Sequence, residues 1–243
     1  DANWNPAPEV TQAITVMGLY TLAVSSDHGS VTPSPGLYIL AEGARITNIV
    51  QTPSLAGTTQ FVCLGWTLTG HSPESGAGAQ FVLTLTNNAV LTWRWGTNYW
   101  LAASAGAHGV VNLGSGWRAA GAPVQITATA DPYYHFEEWT GDAAGSANPL
   151  TALMDGAKSV GARFAEDRAA HGTPIWWLAQ HYPAATNFDQ VALSDSDGDG
   201  YLTWQEWVAG TDPTNKACCL KVCPTNTTGL SIMTCTGRVY TLC

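Results

Sequence analysis

Twelve consecutive residues, Asp195-Ser-Asp-Gly-Asp-Gly-Tyr-Leu-Thr-Trp-Gln-Glu206, carry the densest chemistry in this sequence. Asp195, Asp197 and Asp199 alternate, Gly200 follows them, and Glu206 closes the run. This spacing suits calcium, which takes about six to eight hard oxygen ligands at about 2.3–2.6 Å. The three aspartates curl inward around one ion, Gly200 makes the sharp bend, and Tyr201 supplies its carbonyl oxygen. Thr203 stands where a water bridges, and Glu206 brings both its oxygens. Without a cation, four carboxylates this close would repel one another. The expected cofactor is Ca2+, with Asp195, Asp197, Asp199, Tyr201 and Glu206 as ligands; the blander alternative is a solvated acidic turn.

Other reactive residues do not combine in this way. No nucleophile elbow, phosphate-cradling glycine loop or zinc-protease motif occurs. Glu137 and Glu138 are neighbours on an expected strand, so they point to opposite faces and cannot act as a facing acid/base pair. His28 and His108 each precede a glycine and read as turn residues, while His171 and His181 flank a helix without metal spacing. No catalytic residue and no enzyme are expected.

The net charge of −9 comes from 18 acidic and 9 basic residues with no Lys/Arg cluster, which argues against nucleic acid or an anionic membrane as partner. No apolar run is long enough for a membrane span. The chain starts at Asp1 without a charged-then-apolar signal segment, so it reads as processed or as a piece of a longer precursor. Cys63 stands alone, whereas Cys218, Cys219, Cys223, Cys235 and Cys243 crowd the end as disulfide candidates, which suits a secreted or cell-surface setting. Zinc is the competing reading, without a Cys-x2-Cys pair or a nearby histidine to support it.

The elements around the acidic loop follow from alternation and turn residues. Asp1–Val10 looks like an arm. Tyr20–Val24, the turn at Asp27–Gly29, Val31 and the turn at Pro33–Gly36 recur as Tyr99–Ala103, His108-Gly109, Val110-Val111 and Gly114–Gly116. Gly43–Ile46 answers Gly121–Val124, Phe61–Trp66 answers Tyr134–Trp139, and Leu91–Trp95 answers Val160–Phe164, so Trp66 and Trp139 set a period of 73 residues. Phe61 and Cys63 with Trp66, and Tyr134 and Phe136 with Trp139, are expected to face one core in each repeat. Cys63 is then a buried core thiol or, alternatively, a partner for a tail cysteine. Trp93 and Trp95 on one strand face, with Trp100 and Trp117 nearby, fill the cores or else form a platform for sugar rings.

From Gly121 through Phe164 the sequence resembles the divergent internalin-type B repeat of bacterial surface proteins. Ile126-Thr-Ala-Thr-Ala-Asp-Pro, Tyr134-His-Phe-Glu-Glu-Trp-Thr-Gly-Asp142, Asn148-Pro-Leu-Thr151 and Met154-Asp-Gly-Ala-Lys158 carry the resemblance. The earlier unit, with Gly65-Trp66, Leu83-Thr-Leu85 and Trp93-Arg-Trp95, is similar to a longer variant. The resemblance implies small β-grasp-like modules strung in large secreted or surface proteins, without catalytic residues. Thr11–Met17 looks like the last strand of a preceding repeat.

Thr173 as N-cap and Pro174 at the first helical position open a short helix over Ile175–Tyr182. A second begins near Thr203 and ends at Gly210. Trp176, Trp177, Leu178, Leu202 and Trp207 are available for a miniature core between them. Residues 172–215 resemble the calcium-binding connector that follows such repeats, related to dockerin and thrombospondin type 3 loops. A second complete loop is absent, which removes the basis for cohesin binding. After Ala217 a partial β module follows: Leu220–Val222, a turn at Asn226–Gly229, Leu230–Met233 and Gly237–Leu242.

The expected fold is therefore mainly β: tandem small β-grasp or β-sandwich-like repeats, a short helix–calcium loop–helix and a partial β tail. The expected divisions are an arm with a lone strand (1–18), two β modules (19–97 and 98–166), the connector (167–216) and a cysteine-rich tail (217–243). The expected role is an extracellular structural protein, a filament or surface-assembly subunit that self-associates by strand complementation, stabilised by calcium and disulfides. The alternative is a carbohydrate-binding or adhesion module, with polysaccharide or a host-surface ligand as partner.

Overall fold

A computed structural model describes residues 7–9 and 18–219 together with the strands Lys221–Pro224 and Leu230–Met233. Strand makes up 47% and helix 11% of it, so the chain is mainly β, as its alternation and turn residues require. Two compact units are present. One reaches to Leu101 and includes Gly116–Val124 and Leu153–Lys158; the other comprises Ala102–Ser115, Gln125–Ala152 and the chain from Ser159 onward.

In the first unit two sheets enclose one core. Leu19–Ser25 pairs antiparallel with Gly36–Ala41 and, over Leu22–Ser25, parallel with Ala89–Thr92 of a long strand. Thr59–Thr69 pairs with the other side of that long strand. The facing sheet holds Val31–Thr32, Arg45–Val50 and Gln80–Thr84. Alternation turns Leu22 and Val24 inward to meet Val50, Leu83, Leu91 and Trp93. Burying each such side chain stabilises the fold by about 1.5–3 kcal/mol.

The internal repeat is written into the backbone as well as the sequence. A strict two-residue period would put Cys63 and Trp66 on opposite faces, yet both pack against the same core. A bulge resolves this: Cys63 lies opposite Trp95 and Gly65 opposite Arg94, leaving Leu64 unpaired. The same irregularity recurs in the second repeat, where Phe136 lies opposite Phe164 and Glu138 opposite Arg163, leaving Glu137 unpaired. Gly65 has φ +113°, and a Cβ there would stand 2.1 Å from the Gly76 carbonyl oxygen, so only glycine fits. Cys63 is half-buried with a free thiol, and its sulfur accepts the Gly65 N–H at 3.3 Å.

The two turn histidines also repeat a contact. His28 stacks on Phe61 with centroids 3.5 Å apart, and His108 stacks on Tyr134 at 3.9 Å. Each ring lies on an aromatic residue of the strand that leads to the bulge. The histidines are thus packing residues of the turns.

In the second unit, Tyr134–Gly141 pairs with Lys158–Glu166. Trp139 is buried and its indole N–H donates to the Ala147 carbonyl at 2.8 Å. Asn148 clamps Ala128 by accepting its N–H and donating to its carbonyl. From this sheet the chain passes directly into the connector, with the Asp167 N–H on Tyr133 and the Ile175 N–H on Asp167.

Three short helices follow: α1 (Ile175–His181), α2 (Phe188–Ala192) and α3 (Thr203–Ala209). α1 is capped by Pro174, still extended at ψ 131°, and Thr173 is not the cap. The Thr173 hydroxyl donates instead to the Ala170 carbonyl in the preceding turn. Leu178, Trp177, Ala192 and Ala169 form the connector's core, with Phe188, Trp204 and Trp207 packed against it. In the tail, Lys221–Pro224 pairs antiparallel with Leu230–Met233. Thr11–Met17, Gly237–Leu242, Cys235 and Cys243 lie outside the described residues.

Candidate metal centre

The acidic loop runs from Ser194, just after α2, into α3. Its two ends are tied together: the Thr203 N–H and hydroxyl both donate to the Ser194 carbonyl, at 2.9 and 3.1 Å. Gln205 fixes the start of α3 by accepting the Leu202 N–H. Gly210 ends it in the left-handed region, φ 70°. Between these ties Gly200 takes φ +96°, the bend that lets the chain turn back on its own carboxylates.

Each aspartate uses backbone N–H groups to hold its own position. Asp195 accepts from Gly198 and Asp199 on Oδ1 and from Gly200 on Oδ2. Asp197 Oδ1 accepts from Asp199, and Asp199 Oδ1 accepts from Tyr201 at 2.8 Å. The three side chains converge, with one ligand oxygen from each lying within 4.8 Å of the others. Glu206 is outside that trio but fully buried, with Oε1 accepting from the Thr211 hydroxyl at 3.3 Å.

Three oxygens remain unused. Asp197 Oδ2, Asp199 Oδ2 and Glu206 Oε2 are buried and have no hydrogen-bond partner. Buried polar atoms are nearly always paired, and a carboxylate oxygen buried alone is costly. Full charges within 4.8 Å of one another repel by about 3 kcal/mol or more per pair at an effective dielectric of about 20. The carboxyl of Glu206 records the strain: burial, then the charges of Asp197 and Asp199, push it up from 4.5 to about 7. An all-oxygen donor set with three orphaned acceptors fits a hard divalent cation, which would satisfy them together. Tyr201 is exposed, with its N–H committed to Asp199.

The remaining candidates stand elsewhere. Glu137 and Glu138, which strict alternation would send to opposite faces, stand at the bulge and share one partner. Both reach Arg163, Glu137 at 2.7 Å from Nε and Glu138 at 3.3 Å from Nη1. Arg163 holds the Glu137 carboxyl below its ordinary value, through the hydrogen bond first. His171 stacks on Trp204, and His181 lies 3.4 Å from Asp212. Trp93 is buried in the first unit's core, so its ring offers no face to a sugar; Trp100 and Trp117 meet edge-to-face at 5.2 Å. Cys218 and Cys219 are buried, Cys219 with a free thiol, and Cys218 Sγ accepts the Asp212 N–H. Cys223 lies in the strand Lys221–Pro224.

Sequence reasoning missed α2, whose residues complete the connector's core. Its signal is short: Asn187, whose side chain accepts the Gln190 N–H, followed by Phe188 and Val191 one turn apart. It also missed Thr211, the hydroxyl that holds Glu206 in place.

A family model described as the divergent InlB B-repeat domain matches residues 99–168. No curated protein matches the chain. No solved structure matches it either. The matched stretch covers the second repeat of the internal pair and stops at the connector. B-repeats of this kind are typical of bacterial surface proteins, and among the described residues no helix is long and apolar enough to cross a membrane.

Proposed function

We propose that this chain is a non-catalytic structural segment of a secreted or surface-displayed bacterial protein, in which Asp195–Glu206 binds one Ca2+ and stiffens the connector after the second B-repeat. The observation that carries the reading is the trio of orphaned buried oxygens on Asp197, Asp199 and Glu206. A calcium ion would take Asp195, Asp197, Asp199, the Tyr201 carbonyl and Glu206 as ligands, as the EF-hand-like and dockerin-like spacing implies. One ion held there ties the start of the loop to the buried face of α3, and so to the tryptophan core beneath it. An unpaired loop in an extracellular module binds at the weak end, about 10⁻⁴–10⁻³ M, and stays filled outside cells. The ion is then architectural and not a signal.

The same reading makes the protein self-associate, by strand addition at an open sheet edge, with disulfides among the tail cysteines locking the assembly. A sugar-binding role is less well supported, because Trp93 belongs to the core. Calorimetric titration of the chelator-treated protein with calcium tests the central point. One weak site is expected, lost in Asp197→Asn; absence of binding heat, or unchanged binding in that variant, overturns it.

A further inference from the structure

Three carboxylates of the acidic loop are divided in the same way, one oxygen held by the protein and the other left without a partner. Asp197 Oδ1 accepts the Asp199 N–H and Asp199 Oδ1 accepts the Tyr201 N–H, while Oδ2 of both is orphaned. Glu206 repeats the pattern with a side chain as donor: the Thr211 hydroxyl holds Oε1, and Oε2 is orphaned. Asp195 is committed further. Its Oδ1 accepts the N–H groups of Gly198 and Asp199 and its Oδ2 that of Gly200, out of about four lone-pair positions that a carboxylate offers.

Thr211 reaches Glu206 because of the way α3 ends. Gly210, at φ 70°, turns the chain, and the N–H groups of Gly210 and Thr211 both donate to the Glu206 carbonyl, at 2.6 and 3.0 Å. That turn brings the Thr211 hydroxyl back to the carboxylate of the same residue, 3.3 Å from Oε1. Thr211 is 6% exposed and Glu206 1%, so bulk water does not compete for the bond. The segment has a second anchor: the Tyr182 hydroxyl, just after α1, donates to the Pro213 carbonyl at 2.7 Å.

We infer that Thr211 sets the ion selectivity of the loop: by keeping Oε1 it leaves the ion one oxygen of Glu206, and the site accepts Mg2+ as well as Ca2+. This rests on the calcium reading above and sharpens it. The spacing alone predicts both oxygens of Glu206 as ligands, and a bidentate glutamate is what carries such a loop beyond six oxygens. The Thr211 bond withholds one of the two. One oxygen each from Asp195, Asp197, Asp199 and Glu206, with the Tyr201 carbonyl, makes about five ligands from the chain, and a water makes about six. Six is the number that magnesium requires and the lowest that calcium takes. The clustered negative charges offset the reluctance of magnesium to shed its water. Calcium, whose advantage lies in added ligands, loses much of that advantage here.

The test is calorimetric titration of the chelator-treated full chain with Ca2+, with Mg2+, and with Ca2+ in the presence of Mg2+. Magnesium is expected to bind wild type and to weaken its apparent calcium affinity. Thr211→Val keeps the shape and removes the donor, which frees Oε1 for the ion. Calcium is then expected to gain over magnesium by about tenfold, the worth of one added ligand. Thr211→Ser keeps the hydroxyl and is expected to keep the wild-type ratio. A merely structural threonine would move both affinities together, so the ratio is the readout. Luminescence lifetimes of bound Tb3+ in H2O and D2O count the waters on the ion, and Thr211→Val is expected to hold about one fewer than wild type. Wild-type calcium binding that magnesium leaves unaffected overturns the inference, as does an unchanged ratio or water count in Thr211→Val. The competition arm needs wild type alone, so it decides even where Thr211→Val does not fold. Absence of binding by either ion in wild type overturns the calcium reading and this inference together, so the two failures are distinguishable.

Discussion

Replacing Glu206 by glutamine is expected to push the connector in opposite directions with and without calcium. In the folded protein the Glu206 carboxyl is raised from 4.5 to about 7, first by burial and then by the charges of Asp197 and Asp199. A folded value above the unfolded one means that the native state holds the proton more tightly. Its contribution is therefore full below about pH 4.5 and is lost as pH rises through about 7. Raising the carboxyl from 4.5 to about 7 corresponds to about 3 kcal/mol. The calcium-free connector should thus be most stable in acid and weaken toward neutral pH. Glutamine keeps the shape and removes the charge, so at about pH 8 without calcium the variant should be the more stable, by up to about 3 kcal/mol or about two orders of magnitude in amide protection. In calcium the order reverses, because the ion needs the carboxylate and adds stability to wild type alone. Hydrogen exchange of the α3 amides, corrected for intrinsic rates, reads both arms. A variant no better protected than wild type without calcium, or equally protected by calcium, would refute the reasoning.

Two further outcomes test the fold that carries the site. Gly65→Ala is expected to cost about 1–3 kcal/mol from backbone strain alone, since φ is +113° and the Gly76 carbonyl leaves no room for a Cβ; a thermal melt followed by near-ultraviolet circular dichroism would show it as a lowered midpoint, and an unchanged midpoint would deny the bulge its role. Trp93→Ala, at a site 2% exposed, is expected to cost about 3–5 kcal/mol in denaturant unfolding, whereas Trp117→Ala, on a half-buried ring, should cost clearly less. Equal losses would contradict the placement of Trp93 in the core.

Much of this architecture is legible in the residues because it depends on local rules. Alternation finds the strands, and the 73-residue offset finds the repeat. The Asp-x-Asp-x-Asp-Gly spacing finds the loop, since side chains that must converge on one point have few possible arrangements. What escapes is set by long-range packing. The bulges at Leu64 and Glu137 cannot be read from period alone, and they decide that Cys63 shares a face with Trp66 and that Glu137 and Glu138 share Arg163. Likewise α2 has five residues, too few to show a helical period, and it folds because Phe188 and Val191 find the tryptophan core. The start of α1 shifts by one residue because the Thr173 hydroxyl has a closer partner in the turn before it.

Calcium is expected to hold the connector and to leave the repeats alone. Limited proteolysis of the full chain, with cleavage sites mapped by mass with and without chelator, measures this directly. Chelation is expected to open cuts within residues 172–215 while residues 19–165 stay resistant. Equal resistance of the connector in both conditions, or loss of resistance across the repeats as well, would contradict it.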